Sequence, residues 1–423
     1  MKLLEQRGLT WSGLFRLFLN NFRESGVRVT LKKALAQLTR ADVSFDIDRY
    51  RKWFSRYSTE EGTGAGVLFR KPSVVVIGAL DIPQCKKYRV MQKVEYFAAR
   101  DIPCDYTEYR DLTRAFSIMQ LATVAILYRV PAGLELDALL QEAARLGLRV
   151  YYDIDDPIFD ETSYRQNRNL ESLSIREREH LLGQIPAYRE VMQRIGSVIV
   201  STSGMRERVQ SATSVDEVIV WPNLIDSATR SVFQQLVPPE RVESGQLILG
   251  YFSGSRAHDF DLEQVASVLA GLLADHDEVQ IHLGGYTRLP ADLEPFESRV
   301  TFLGFMSYHA YLERLSAVDI HIVPLVIDQF NDCKSGIRYL EASMCKVPTV
   351  ASEVGQFTEM IEQGETGFLC RSEEDWRANL ETLIANPGRR REIADAAHAV
   401  VNADYALTST RYQHLGEAVT HVS

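Results

Sequence analysis

Short β-branched runs recur along this chain with helical stretches between them, and that alternation leaves few folds open. The run "SVVVIGA" (73–79) is followed by "CDYTEY", "ATVAILYRV" (122–130), "LRVYYDID", "SVIVST" (197–202) and "EVIVWPN" (217–223). The pattern then restarts at "QLILGYFSG" (246–254) and continues through "VQIHLGG", "VTFLGF", "VDIHIVPL", "VPTVAS" and "GFLC". Continuous apolar runs of this kind suit strands buried on both faces of a parallel sheet. A helix is expected from about Lys86 to Ala99, and another from about Asp261 to Leu273. The join "WPNLIDSATRSVFQQLVPPERVESG" carries three prolines and little periodicity, as an interdomain linker would. The prediction is α/β: two doubly wound, Rossmann-like domains, 67–230 and 245–400, facing a cleft at the carboxyl ends of their strands.

A length of 423 residues agrees with two such domains. The net charge of −10 argues against nucleic acid as a partner. Cys85, Cys104, Cys333, Cys345 and Cys370 are scattered, odd in number and without CxxC spacing. They read as reduced thiols of a cytoplasmic protein. No apolar run reaches the roughly 18 to 20 residues that a membrane span requires. Charge is nevertheless segregated: residues 1–40 hold eight Lys and Arg against two Glu, a net of +6 that leaves −16 for the rest. Within that arm Trp11, Leu14, Phe15, Phe18, Leu19 and Phe22 share one helical face. A basic amphipathic arm over 1–66, ending in the linker "STEEGTGAG", suits either packing on the protein body or peripheral contact with an anionic membrane.

Two loops in the second half have the form that leads a strand into a helix N-terminus, where free N–H groups favour anions. The first, "FSGSRAHDFD", offers Gly254 for a tight turn, with Ser255, Arg256 and His258 in its mouth. The second, "NDCKSGIRYLE" (331–341), sets Lys334 beside Ser335, Gly336 and Ile337 at the expected start of a helix carrying Glu341. Converging loops of this kind fit a diphosphate, and Glu341 could accept hydrogen bonds from sugar hydroxyls. Each feature also has a plain reading, since glycine turns are common and a lone lysine is usually a solvated charge. In the first half, "YYDIDDPIFD" (151–160) places Asp153, Asp155 and Asp156 after a strand at the cleft end. Clustered carboxylates serve either a divalent metal or hydroxyl groups.

The stretches "SGIRYLEASMCKVPTVAS", "GQFTEMIEQGETGFLC" and "VTFLGFMSYHAYLERLSAVDIHIVP" resemble the nucleotide-sugar-binding half of retaining GT-B glycosyltransferases, in particular glycosyltransferase family four. "VIVSTSGMRERV" and "VWPNLID" resemble the end of that fold's first domain, so the resemblance covers most of residues 72–420. It implies that Glu341 binds the donor ribose, that the N–H groups of Gly336 and Ile337 hold its phosphates, and that Phe305 and Met306 meet the base. It also implies a C-terminal helix, 401–423, crossing back to the first domain. The family's glutamate pair has Cys333 as its first member here, and Lys346 stands where glycine is usual. Arg256 represents the family's cationic pair, and Lys334 takes the second charge, as in a bacterial polysaccharide subgroup that the "CKSxIxxLE" form resembles.

"IGALDIPQCKKYRVMQ" is similar to the first strand, loop and helix of the same subgroup, where Arg89 would reach a donor phosphate or an acidic acceptor. Asp155 falls where many members have a histidine touching the transferred sugar, and Asp153 and Asp156 would meet the acceptor. The family needs no catalytic metal, so neither metal nor cofactor is expected beyond a nucleotide-diphosphate sugar. The implied activity is retaining transfer of a sugar to a glycan or lipid-linked acceptor in surface polysaccharide assembly. Lys334, Arg256 and the helix start would stabilise the departing phosphate. A catalytically weak partner subunit of another transferase, for which Cys333 argues, and a nucleotide-sugar epimerase are the alternatives. Sugar, acceptor and oligomeric state are not written in these motifs.

Overall fold

The computed structural model describes residues 71–168, 170, 174–236, 245–253, 259–285 and 287–420. The basic arm of residues 1–40 and its proposed membrane role therefore lie outside the described residues.

All twelve expected runs form strands, in two six-stranded sheets in which every pairing is parallel. The first holds β1 (Val74–Gly78), β2 (Cys104–Glu108), β3 (Val124–Tyr128), β4 (Arg149–Ile154), β5 (Ser197–Val200) and β6 (Glu217–Val220). Its order is β2-β1-β3-β4-β5-β6. The second holds β7 (Leu247–Phe252), β8 (Val279–Gly284), β9 (Val300–Gly304), β10 (Ile320–Val323), β11 (Thr349–Ser352) and β12 (Phe368–Cys370). Its order, β12-β11-β10-β7-β8-β9, is the Rossmann arrangement read from the far edge. β1, β3, β10 and β11 are buried along their whole length, which is why their sequences are unbroken apolar runs rather than alternations.

In each sheet the strand order reverses beside the first strand, between β1 and β3 and between β7 and β10. Crossovers diverge to opposite faces at such points and leave a crevice above the carboxyl ends. The two crevices face each other across the cleft. Behind it, one apolar core is shared by both halves: Tyr96, Phe97 and Trp221 from the first pack with Tyr405, Leu407 and Tyr412 from the C-terminal segment.

Two helices differ from expectation. The stretch from about Asp261 to Leu273 is broken into Asp259–Glu263 and Ala266–Asp275, because Val265 adopts φ −110°, ψ 4°. The segment 401–423 is not one helix. Pro387–Asp404 ends at Asp404, and a separate short helix, His414–Thr420, follows. Between them the backbone pairs with the linker, Ile225 N–H donating to Tyr405 O and Leu407 N–H to Ile225 O. The short helix meets the first domain through Tyr96, whose hydroxyl donates to Tyr412 O at 2.7 Å and accepts from Gly416 N–H at 2.9 Å.

Candidate functional site

A cleft of about 700 Å³ opens where the carboxyl ends of the two sheets converge. Its walls come from the segment after β1 (Gln84, Cys85, Tyr88), from Asp155 after β4, from Phe252 and Ser253 ending β7, and from the turn after β9. The helix Ile337–Met344, which follows β10, closes the floor with Ile337, Arg338 and Glu341. That helix is held because Tyr339 through Met344 are all buried, and of them Glu341 reaches the cleft floor beside its first turn. It ends at Met344, and just beyond its cap Lys346 takes a φ of +54°, left-handed backbone. Glycine takes this conformation without steric cost, which is the reason glycine is usual there.

The Glu341 carboxylate accepts three tyrosine hydroxyls. Tyr88 and Tyr308 donate to Oε1 at 2.5 and 2.9 Å, and Tyr311 donates to Oε2 at 2.8 Å. Burial pushes its pKa above the ordinary carboxylate range, and the three hydroxyl donors pull the other way. Tyr308 and Tyr311 lie three apart on the helix Tyr308–Ser316, hence on one face, a spacing that could have flagged them. Phe305 is 56% exposed and Met306 lines the cleft beside Gly284, where a base could lie. Backbones touch here: a Cβ on Gly285, at φ +91°, would sit 1.9 Å from Ser253 O.

Several expected phosphate contacts are arranged differently. Gly336 N–H donates to Gln356 Oε1 at 2.9 Å, so the protein itself occupies it. Ser335 Oγ accepts from Asn223 Nδ2 at 3.1 Å. Ile337 and Arg338 N–H, in the first helical turn, take no backbone acceptor among the described residues. Lys334 reaches across to Asp156 Oδ1 at 2.7 Å and lies over the Phe330 ring, away from the cleft lining. Gly254, Ser255, Arg256 and His258 lie outside the described residues.

On the first-domain wall, Arg89 and Asp153, expected to meet a phosphate or the acceptor, are structural residues instead. Arg89 has no exposed surface. Its guanidinium donates to Asp153 Oδ1 at 2.8 and 3.0 Å, to Trp221 O at 2.7 Å and to Asn223 Oδ1 at 3.2 Å. Lys93 pairs with the other oxygen of Asp153. Neither Arg89 nor Asp153 can reach an acceptor, because together they anchor the segment that leaves β6. Asp155 lines the cleft and shares Arg129 with Asp156; Arg129 binds Asp155 Oδ1 at 2.6 Å and also pairs with Asp156. Tyr128 adds a hydroxyl to Asp155 at 3.0 Å. Although burial opposes it, Lys334 and Arg129 hold the Asp156 carboxyl well below its ordinary pKa. The three aspartates thus do not converge on one point, and arginines occupy them instead.

Cys333 is wholly buried, and burial raises its thiol to about 12. Its carbonyl accepts from Thr202 Oγ1 at 3.0 Å, so the loop 331–334 is clamped against the start of the helix Ser203–Ala212. A Cβ on Gly204 would stand 2.2 Å from Asp332 O. A buried thiol with a raised pKa is a poor stand-in for the carboxylate that the family has at this place.

Residues 246–386 match the family described as Glycosyl transferases group 1. Among curated proteins, a D-inositol 3-phosphate glycosyltransferase of Stackebrandtia nassauensis is 35% identical over 100 residues, 23% of this chain and 21% of that protein. A phosphatidyl-myo-inositol mannosyltransferase of Mycobacterium leprae is 23% identical over 232 residues, 53% of this chain and 59% of that protein. The chain thus spans only about a fifth of the length of the curated D-inositol 3-phosphate glycosyltransferases that it matches, 22% of the Rhodococcus jostii protein. Among solved structures, HepE of Anabaena in complex with UDP superposes with a TM-score of 0.56 at 15% identity, covering 83% of this chain and 100% of that one. WaaG, a glycosyltransferase involved in lipopolysaccharide biosynthesis, gives 0.53 at 14% identity, covering 82% and 100%. The fold is GT-B.

Proposed function

We propose, from the premise that residues 246–386 are a glycosyl transferases group 1 domain of family-four type within a GT-B fold, that this chain is a retaining hexosyltransferase using a nucleoside-diphosphate sugar. The observation that carries the reading is the cleft itself. It brings an exposed aromatic turn, a carboxylate and an open helix start to one floor, opposite Asp155. The base lies on Phe305 and Met306, the ribose meets Glu341, and the diphosphate lies over Ile337. A carboxylate has about four acceptor sites, and the three tyrosines leave about one for a ribose hydroxyl.

In the reaction the bond from the anomeric carbon to the phosphate oxygen breaks, and the acceptor hydroxyl forms its bond on the same face. Its proton passes to the departing phosphate. No side-chain base is required, and preorganised N–H donors facing the developing charge lower the barrier. Solved neighbours that bind UDP and UDP-glucose support a nucleotide-sugar donor. The mannosyltransferase named for phosphatidyl-myo-inositol and the lipopolysaccharide enzyme support a lipid-borne or glycan acceptor in surface polysaccharide assembly. The buried Cys333 favours a second reading, a nucleotide-binding partner subunit without turnover.

The test is a panel of UDP-, GDP- and dTDP-sugars followed by NMR of the sugar released or transferred. Donor cleavage with the anomeric configuration kept is expected. Nucleotide binding without cleavage of any donor would favour the subunit reading, and an inverted product would sink retention.

A further inference from the structure

The cleft floor needs a cation for a diphosphate; of the two that the motifs offer, Arg256 lies outside the described residues and Lys334 is already paired with Asp156. Lys87, which lines the cleft, is bound to Asp226 at 2.5 Å and to Thr229 at 2.6 Å. Arg129 is shared between Asp155 and Asp156. Arg338 is different. It lines the cleft and, among the described residues, makes no ion pair and has its buried Nη1 without a hydrogen-bond partner. A buried guanidinium nitrogen left unpaired costs free energy unless something else satisfies it.

Its position is as informative as its vacancy of partners. Arg338 is the second residue of the helix Ile337–Met344, so its charge adds to that of the unpaired first-turn N–H groups. Across the floor stand Phe252 and Ser253 at the end of β7, and the neighbouring strand is β10. That is the point where the strand order reverses, the place in an open parallel sheet where a ligand's phosphates are expected. His321 on β10 is wholly buried with neither ring nitrogen bonded. Burial, and after it the Arg338 charge, lowers its pKa to about 3.

We infer that Arg338 is the residue that grips the donor diphosphate, its planar guanidinium taking two phosphate oxygens at the switch point between β7 and β10. The inference rests on the nucleoside-diphosphate reading of the same cleft. It assigns to Arg338 the charge that the motif had assigned to Lys334. The ligand class is a nucleoside diphosphate or its sugar ester, and the base plays no part in this contact.

The experiment is calorimetry of the full chain with UDP and GDP, with ligand-observed NMR for uridine and guanosine. Wild type is compared with Arg338→Gln, Arg338→Lys and Lys334→Ala. Arg338→Gln should weaken the diphosphates about 10- to 100-fold while leaving nucleoside binding and the melting temperature unchanged. Arg338→Lys, keeping the charge but not the fork, should recover part of the loss, and Lys334→Ala should stay near wild type. Diphosphate affinity unchanged in Arg338→Gln, or equal losses for nucleoside and diphosphate, would overturn the assignment and leave the transferase reading standing. A selective loss in Lys334→Ala alone would overturn it too. Wild type binding neither diphosphate would remove the donor reading and this inference together.

Discussion

Arg89 and Arg338 occupy comparable places in the two sheets, each in a helix beside a point where strand order reverses, yet they do opposite work. Arg89 is enclosed, with bonds to Asp153, the Trp221 carbonyl and Asn223. Arg338 lines the opening, and its Nη1 has no partner among the described residues. The difference lies in their neighbours. Beside Arg89 stand a buried carboxylate and the linker that joins the domains. Arg338 shares the cleft lining with Gly284 and Gly285, and no carboxylate among the described residues pairs with it. An arginine at a switch point is therefore a structural pin or a ligand grip according to what the adjacent strand brings to it.

The largest effect should come from forcing the pin to resemble the grip. Arg89→Ala leaves Asp153 buried beside Lys93 alone, and should cost about 3–5 kcal/mol in urea unfolding. Arg338→Gln removes no intramolecular partner, and its unfolding free energy should change by no more than about 0.5 kcal/mol. Equal destabilisation of the two variants would break the contrast.

A smaller loss is expected from Tyr88→Phe, which deletes one of the three hydroxyls on Glu341 and a contact between the domains. Hydrogen bonds to charged groups suggest about 1.5 kcal/mol of lost stability. Nucleotide affinity should be equal or higher, because an acceptor site on Oε1 becomes free; a large fall in affinity would instead make Tyr88 a ligand contact.

Lys334→Ala should also have a small effect. Its pair with Asp156 is about a quarter exposed on each side, and should contribute about 0.2–1 kcal/mol. The sign with pH follows from the depressed Asp156 carboxyl. Its contribution is complete above the unfolded value near 3.9 and is lost as pH falls through the lowered folded value. The gap between wild type and Lys334→Ala should thus hold at pH 7 and narrow on acidification below about pH 4. A gap that widens in acid would mean that another group carries the pair.

Much of the fold was legible because strand and helix are local properties. Every apolar run proposed as a strand became one, and Lys346 marked a backbone conformation that glycine prefers. The break at Val265 was not legible, since nothing in the helical period announces it. The site was legible as a place more than as a set of contacts. The floor around Ile337 and Glu341 and the turn at Phe305 and Met306 were found from their motifs. Arg338 gave no signal, being one more charge on an amphipathic helix. Gln356 taking the Gly336 N–H was equally silent.

Alternating runs and their order by themselves determined two parallel sheets and put a cleft at the carboxyl ends of their strands. Which charges remain available inside that cleft was decided only by the tertiary structure. Arg89 meets Asp153 from 64 residues away, and Lys334 meets Asp156 from 178. A charge is free or spent according to partners at such distances along the chain, and local pattern carries no information about them.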